Sequence, residues 1–168
     1  MKKIKHEKLK TFLLLPVSII FSLFVIEMFL VFFYPQNLTK YRLDPDIVSR
    51  PRANTLTVTH TLEYYTISKT NSKGLHDYEY GYNSSDYTIV MLGDSFTEGL
   101  QVNISDRFPK VLERKLLNRT PNERVINCGI GSQGTDQEYI YLKIECIKYR
   151  PNIVILNFFM GNDFAQSR

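Results

Sequence analysis

Thr88-Ile89-Val90-Met91-Leu92-Gly93-Asp94-Ser95-Phe96-Thr97-Glu98-Gly99 begins as a β-branched, apolar run and breaks abruptly into a polar turn. Ile89 and Val90 suit a buried strand, and Gly93 suits a sharp exit because glycine has no Cβ to clash. A serine just past such an exit stands at the carboxyl end of the strand, where open α/β sheets place their chemistry. Gly-Asp-Ser alone carries little weight, since loops are rich in all three residues. Its meaning depends on the strand ends farther along the chain and on their spacing.

Downstream, Phe108, Val111, Leu112 and Leu116 recur at helical spacing, predicting a helix over 107–118 capped by Ser105 or Asp106. Arg124-Val125-Ile126-Asn127 reads as a second strand and leads into Cys128-Gly129-Ile130-Gly131-Ser132-Gln133-Gly134-Thr135. Asp136 then opens a helix over 137–149, with Tyr139, Leu142, Cys146 and Ile147 inward and Pro151 beyond its end. Residues 153–159, Ile-Val-Ile-Leu-Asn-Phe-Phe, are apolar almost throughout, as strands covered on both faces tend to be. The order β-α-β-α-β predicts an α/β domain with three layers, α/β/α, built on a parallel sheet with right-handed crossovers.

Upstream, residues 12–34 are nearly all apolar and long enough to cross a bilayer as one helix. Lysines crowd residues 1–11, a basic tail that predicts a cytoplasmic N-terminus and an exported remainder. A cleaved signal peptide would have a shorter apolar core and a small-residue site, which Phe33-Tyr34-Pro35 is not. Glu27 is the one charge in the span. Residues 35–80 read as an extracytoplasmic linker with lead-in strands. Asp44-Pro45 and Arg50-Pro51 punctuate the linker, and 55–68 alternate as strands with His60 on a Leu56/Val58/Leu62 face. The α/β domain then occupies 81–168.

Composition narrows the partners. Five lysines against Glu7 in the first ten residues already account for the formal net charge of +4, so the remainder sums to zero. Such a domain has no positive field for phosphates, and nucleic acid is not an expected partner. Cys128 and Cys146 make no disulfide framework, and His6, His60 and His76 are scattered without metal-ligand spacing. No cofactor and no metal is expected. Gly129-Ile130-Gly131-Ser132-Gln133-Gly134 fits a dinucleotide fingerprint between strand and helix, but the next strand ends in Asn157-Phe158-Phe159, with no carboxylate for a ribose.

Taken in order, three strand ends resemble the signature blocks of the SGNH (GDSL) hydrolases. Gly93-Asp94-Ser95 resembles the first, Asn127-Cys128-Gly129-Ile130-Gly131 the second and Gly161-Asn162-Asp163 the third. Asn71-Ser72-Lys73-Gly74-Leu75-His76-Asp77 resembles a stretch common in anchored members, with His76 where arginine is usual. The resemblance implies an SGNH/flavodoxin-like fold in which Ser95 attacks an acyl carbon. Asp94 would shape the turn, and an oxyanion would be held by the Ser95 amide, by a Gly131 or Ser132 amide, and by the Asn162 side chain. Strict spacing places the second-block donor on Ser132, with Gly131 one residue early. The implied substrate is an O-acyl ester, hydrolysed or transferred, acetyl esters of cell-surface glycans included. The family's base is the histidine of an Asp-x-x-His block, and no histidine follows Ser95 here. The expectation is therefore a membrane-anchored esterase domain incomplete at its C-terminus. The competing reading is a non-catalytic, membrane-tethered remnant or interaction module of the same fold.

Overall fold

The computed structural model describes residues 2–33, 40–82, 86–119 and 122–161. The chain divides into two units, Met1–Gln36 and Asn37–Arg168.

The first unit is a helix, α1 (Lys2–Phe33), within which Leu14–Phe33 has a mean hydropathy of 2.5. Twenty residues at 1.5 Å per residue span about 30 Å, the thickness of a bilayer core. It is long and apolar enough to cross a membrane, with its described side chains exposed all round. The basic tail, read as separate from the span, continues the same helix, and Tyr34 lies outside the described residues. Pro16 sits inside α1, where it removes one backbone donor.

In the second unit β5 (Tyr87–Gly93) is the central strand of a three-stranded parallel sheet in the order β6-β5-β7, flanked by β6 (Glu123–Asn127) and β7 (Ile153–Asn157). Side chains alternate along β5, so each of its faces has its own core. Ile89 and Met91 join Val125 and pack against Leu112 and Leu116 of α3 (Phe108–Leu117). Val90 and Leu92 join Ile126, Cys128 and Ile130 and pack against Tyr141 of α4 (Thr135–Ile144), with Cys146 and Tyr149 from the 3-10 turn Cys146–Tyr149. The architecture is α/β with helices packed on alternate faces of β5.

Several expectations need correction. The linker expected over 35–51 instead forms a hairpin from its first described residues, β1 (Tyr41–Asp44) with β2 (Val48–Pro51). Ile47 at its turn and Leu75 both sit in the core with Val90, so residues 41–80 belong to the domain rather than leading up to it. The ribbon β3 (Leu56–His60) and β4 (Tyr65–Lys69) forms as expected but presents the opposite face. Thr57, Thr66 and Ser68 are buried, whereas Leu56 is 59% exposed, Ile67 53%, and His60 lies outside against Tyr65. The cause is chemical: the ribbon covers backbone carbonyls that need donors, and Thr66 Oγ1 gives one to Leu100 O at 2.5 Å.

The helices also differ in detail. Arg107 rather than Ser105 or Asp106 precedes α3, and no side chain caps it. Within α4, which ends at Ile144, Tyr141 is inward and Tyr139 exposed; the tighter turn after it then brings Cys146 and Tyr149 inward and leaves Ile147 exposed. β7 stops at Asn157 and is an edge strand among the described residues, with Leu156 44% exposed. Between it and α4 lies a groove of about 650 Å³ lined by Leu92, Ile140, Leu142, Val154 and Leu156.

Candidate active site

Gly93 ends β5 with φ +154°, and a methyl group there would lie 2.0 Å from Thr97 Oγ1 and 3.2 Å from Asn157 Cβ. Only glycine lets the strand turn this tightly. Asp94 then caps α2 (Ser95–Glu98): its Oδ1 accepts from Phe96 N at 2.9 Å and its carbonyl from Glu98 N at 2.9 Å. Gly99 closes the turn in the left-handed conformation, its N–H reaching Ser95 O at 3.0 Å. Asp94 is thus a buried cap, and Ser95 is the first residue of a single helical turn, half-buried at its surface.

The loop after β6 lies against this turn. Asn127 Nδ2 donates to Thr97 O at 2.8 Å, and its Oδ1 accepts from Gly129 N at 3.0 Å. A methyl at Gly129 would come within 2.5 Å of Glu98 N and 2.7 Å of Thr97 C, so the loop can approach only as glycine. Gly131 continues the contact, a methyl there falling 3.6 Å from Ser95 Cβ and 2.8 Å from Glu98 Oε2. Its N–H is already engaged, donating to Glu98 Oε2 at 3.1 Å. Ser132 is exposed and left-handed, at φ +64°, and its N–H meets no internal acceptor among the described residues. Of the two candidates at this position, Ser132 therefore has the unengaged amide. Asn162 and Asp163 lie outside the described residues.

Sequence reasoning passed over the polar cluster beneath the turn. Glu98, 2% exposed, accepts from Tyr41 Oη at 2.6 Å (Oε1) and 2.9 Å (Oε2), and His76 Nε2 lies 3.5 Å from Oε1. His76 Nδ1 is 3.1 Å from Ser68 Oγ, which accepts from Arg107 Nη2 at 2.8 Å. Arg107 also donates through Nη1 to His76 O and through Nε to Gly99 O at 2.9 Å. Burial pushes His76 down to about 3, assisted by the charges of Arg107 and Lys40, so the ring is neutral near pH 7. Burial also pushes Glu98 up, against the pull of the Tyr41 and Gly131 hydrogen bonds. Tyr41 is raised by burial and by the carboxylate it faces. Glu98 stood in plain view four residues past Asp94, but no local signal pointed to Tyr41.

His76 is locked into this cluster and His60 is exposed on the outer face of the ribbon against Tyr65, and neither hydrogen-bonds Ser95. Among the described residues no side chain accepts a hydrogen bond from Ser95 Oγ, and no group of three or more metal-ligating side chains forms a site. A pyrophosphate on the glycine loop would need the Gly131 amide that Glu98 holds, which removes the geometric basis for dinucleotide binding. No protein-family model matches this sequence, and comparison with curated proteins finds no match.

Proposed function

We propose that the chain carries the serine nucleophile and oxyanion donors of an SGNH-type serine esterase on a membrane anchor. The observation that carries this reading is the approach of Gly131 to Ser95, a methyl there falling 3.6 Å from Ser95 Cβ, with the next residue's amide, Ser132 N–H, unengaged among the described residues. In this reading Ser95 Oγ bonds to the acyl carbon of an O-acyl ester and its proton passes to a general base. The carbonyl electrons move onto oxygen, where the Ser95 and Ser132 amides and the Asn162 side chain hold the charge. The alkoxide then leaves with the proton, and water or an acceptor hydroxyl cleaves the acyl-serine. A base from outside the described residues is required, since a serine hydroxyl is a weak nucleophile without one.

The proposed fold is the SGNH/flavodoxin-like three-layer arrangement, which the packing of α3 and α4 on alternate faces of β5 supports. The lysines before the span favour a cytoplasmic N-terminus and an extracytoplasmic domain. The substrate class is an O-acyl ester, cell-surface glycan acetyl groups included. A second reading, a non-catalytic tethered module, is favoured by the lack of an acceptor for the Ser95 hydroxyl among the described residues.

A fluorophosphonate probe decides between them. The esterase reading expects covalent labelling, with the general base present, that is lost in Ser95→Ala. Equal labelling of both forms, or of neither, overturns it, and the absence of any labelling leaves the tethered module.

A further inference from the structure

Glu98 sits three residues beyond Ser95, and every group turned toward its carboxylate is a donor: Tyr41 O–H, Gly131 N–H and the His76 ring. Arg107 determines the direction of the last of these. A guanidinium has no acceptor, so Ser68 Oγ receives the Arg107 N–H and turns its own hydrogen to His76 Nδ1. The proton of the neutral ring is then on Nε2, facing Glu98. A carboxyl group faced by donors acts as an acceptor toward them, and these hydrogen bonds oppose the burial that pushes Glu98 up.

The loop beyond is held on both flanks of Ser132. On one side Gly131 N–H is fastened to Glu98, which Tyr41 of β1 braces. On the other, Gln133 Nε2 donates to Ser49 O at 2.9 Å and Ile47 O at 3.3 Å in the same hairpin. Between them Ser132 occupies a left-handed conformation unfavourable to a residue with a Cβ, and no side-chain hydrogen bond of its own sustains it among the described residues.

We infer that Glu98 is a positioning residue: by holding Gly131 N–H, braced by Tyr41, it turns the loop so that Ser132 N–H faces the oxyanion formed at Ser95. The catalytic half of this inference rests on the esterase reading. Its structural half, the dependence of the Gly131 amide on Glu98, stands apart from it. In Glu98→Gln the glutamine keeps one of the two side-chain oxygens that accept from Tyr41 and Gly131, so the Gly131 link is weakened, and that loss is visible at a single amide.

Residue-resolved amide exchange of the full ¹⁵N-labelled chain in detergent micelles tests both halves. Glu98→Gln should speed Gly131 exchange about tenfold or more while leaving the β5 amides protected. Tyr41→Phe, which keeps the carboxylate, should produce a smaller increase and serves where Glu98→Gln fails to fold. On the fluorophosphonate adduct, Ser132 N–H should become protected and Gly131 N–H stay unchanged. Gly131 exchange that ignores both substitutions, or adduct protection falling on Gly131, overturns the inference. Wild-type protein that takes no probe with the general base present overturns the esterase reading and the catalytic half with it, while the ligand-free exchange comparison still decides the Glu98–Gly131 link.

Discussion

Lys110 shows what one side chain does inside this domain. Its ammonium is buried, 2.9 Å from Asp77 Oδ1, 2.8 Å from Tyr80 Oη and 3.1 Å from Glu113 Oε2, and it also donates to Val125 O. Asp77 Oδ2 in turn accepts Asn127 N at 2.7 Å, so the pair ties α3 to the strand that leads into the 128–134 loop. Lys110→Met leaves two carboxylates without their cation and should lower stability by about 3–5 kcal/mol, read from chemical denaturation. Adding Asp77→Asn should recover part of that loss; a double variant no more stable than Lys110→Met would refute the charge argument. His76 makes the pH prediction. Its folded pKa, near 3, lies below the unfolded value of 6.5, so across that window the unfolded chain binds a proton that the folded chain rejects. Stability from this group is complete above 6.5 and falls by about 1.4 kcal/mol per unit as pH drops through the window. Ser68 and Glu98 face the ring, Arg107 and Lys40 act on it through their charges, and the raised carboxyls of Glu98 and Asp77 act in the opposite sense. Comparison with His76→Gln therefore isolates the effect: the variant's acid slope should be shallower by about one proton.

At the scale of elements, the β3–β4 ribbon reverses the ranking that hydrophobic alternation suggests. Its alternating pattern is real, but the domain beneath it presents the carbonyl of Leu100 and the guanidinium of Arg107, and these select the hydroxyl face. Leu56→Lys and Ile67→Lys should change stability by no more than about 0.5 kcal/mol. Thr66→Val, which removes the donor from a buried carbonyl, should cost about 1–3 kcal/mol. Urea midpoints in the reverse order would show that the ribbon buries its apolar face after all. The join between α2 and the loop after β6 is just as specific. Gly129→Ala places a methyl against the backbone of Thr97 and Glu98, neither of which can swing aside, and should cost about 1–3 kcal/mol.

For the whole molecule, α1 predicts behaviour that the domain alone would not show. The chain should stay with membranes through an alkaline carbonate wash. Ile20→Arg with Phe24→Arg should release it, because each central arginine costs about 3 kcal/mol on insertion. Wild-type chain in the supernatant would exclude an integral anchor. The sequence by itself determined the apolar span, the strand and turn around Gly93, and the alternation of strands and helices from residue 87 onward. These arise from short-range rules: apolar periodicity, glycine at a strained φ, and proline beyond a helix end. Tertiary structure alone decided the rest. Residues 41–51 carry prolines and charges that look like a linker, yet they close over the core because Ile47 and the carbonyls around it find partners far along the chain. Which side of α4 faces the sheet was settled by the packing of Tyr141 against Val90 and Leu92, and the residues inward after Ile144 by the tighter turn there. The Tyr41–Glu98–Gly131 contact joins three segments separated by dozens of residues, and no local pattern encodes which buried carboxylate will find which donors. That choice depends on long-range packing, where each polar group entering the core must meet a partner.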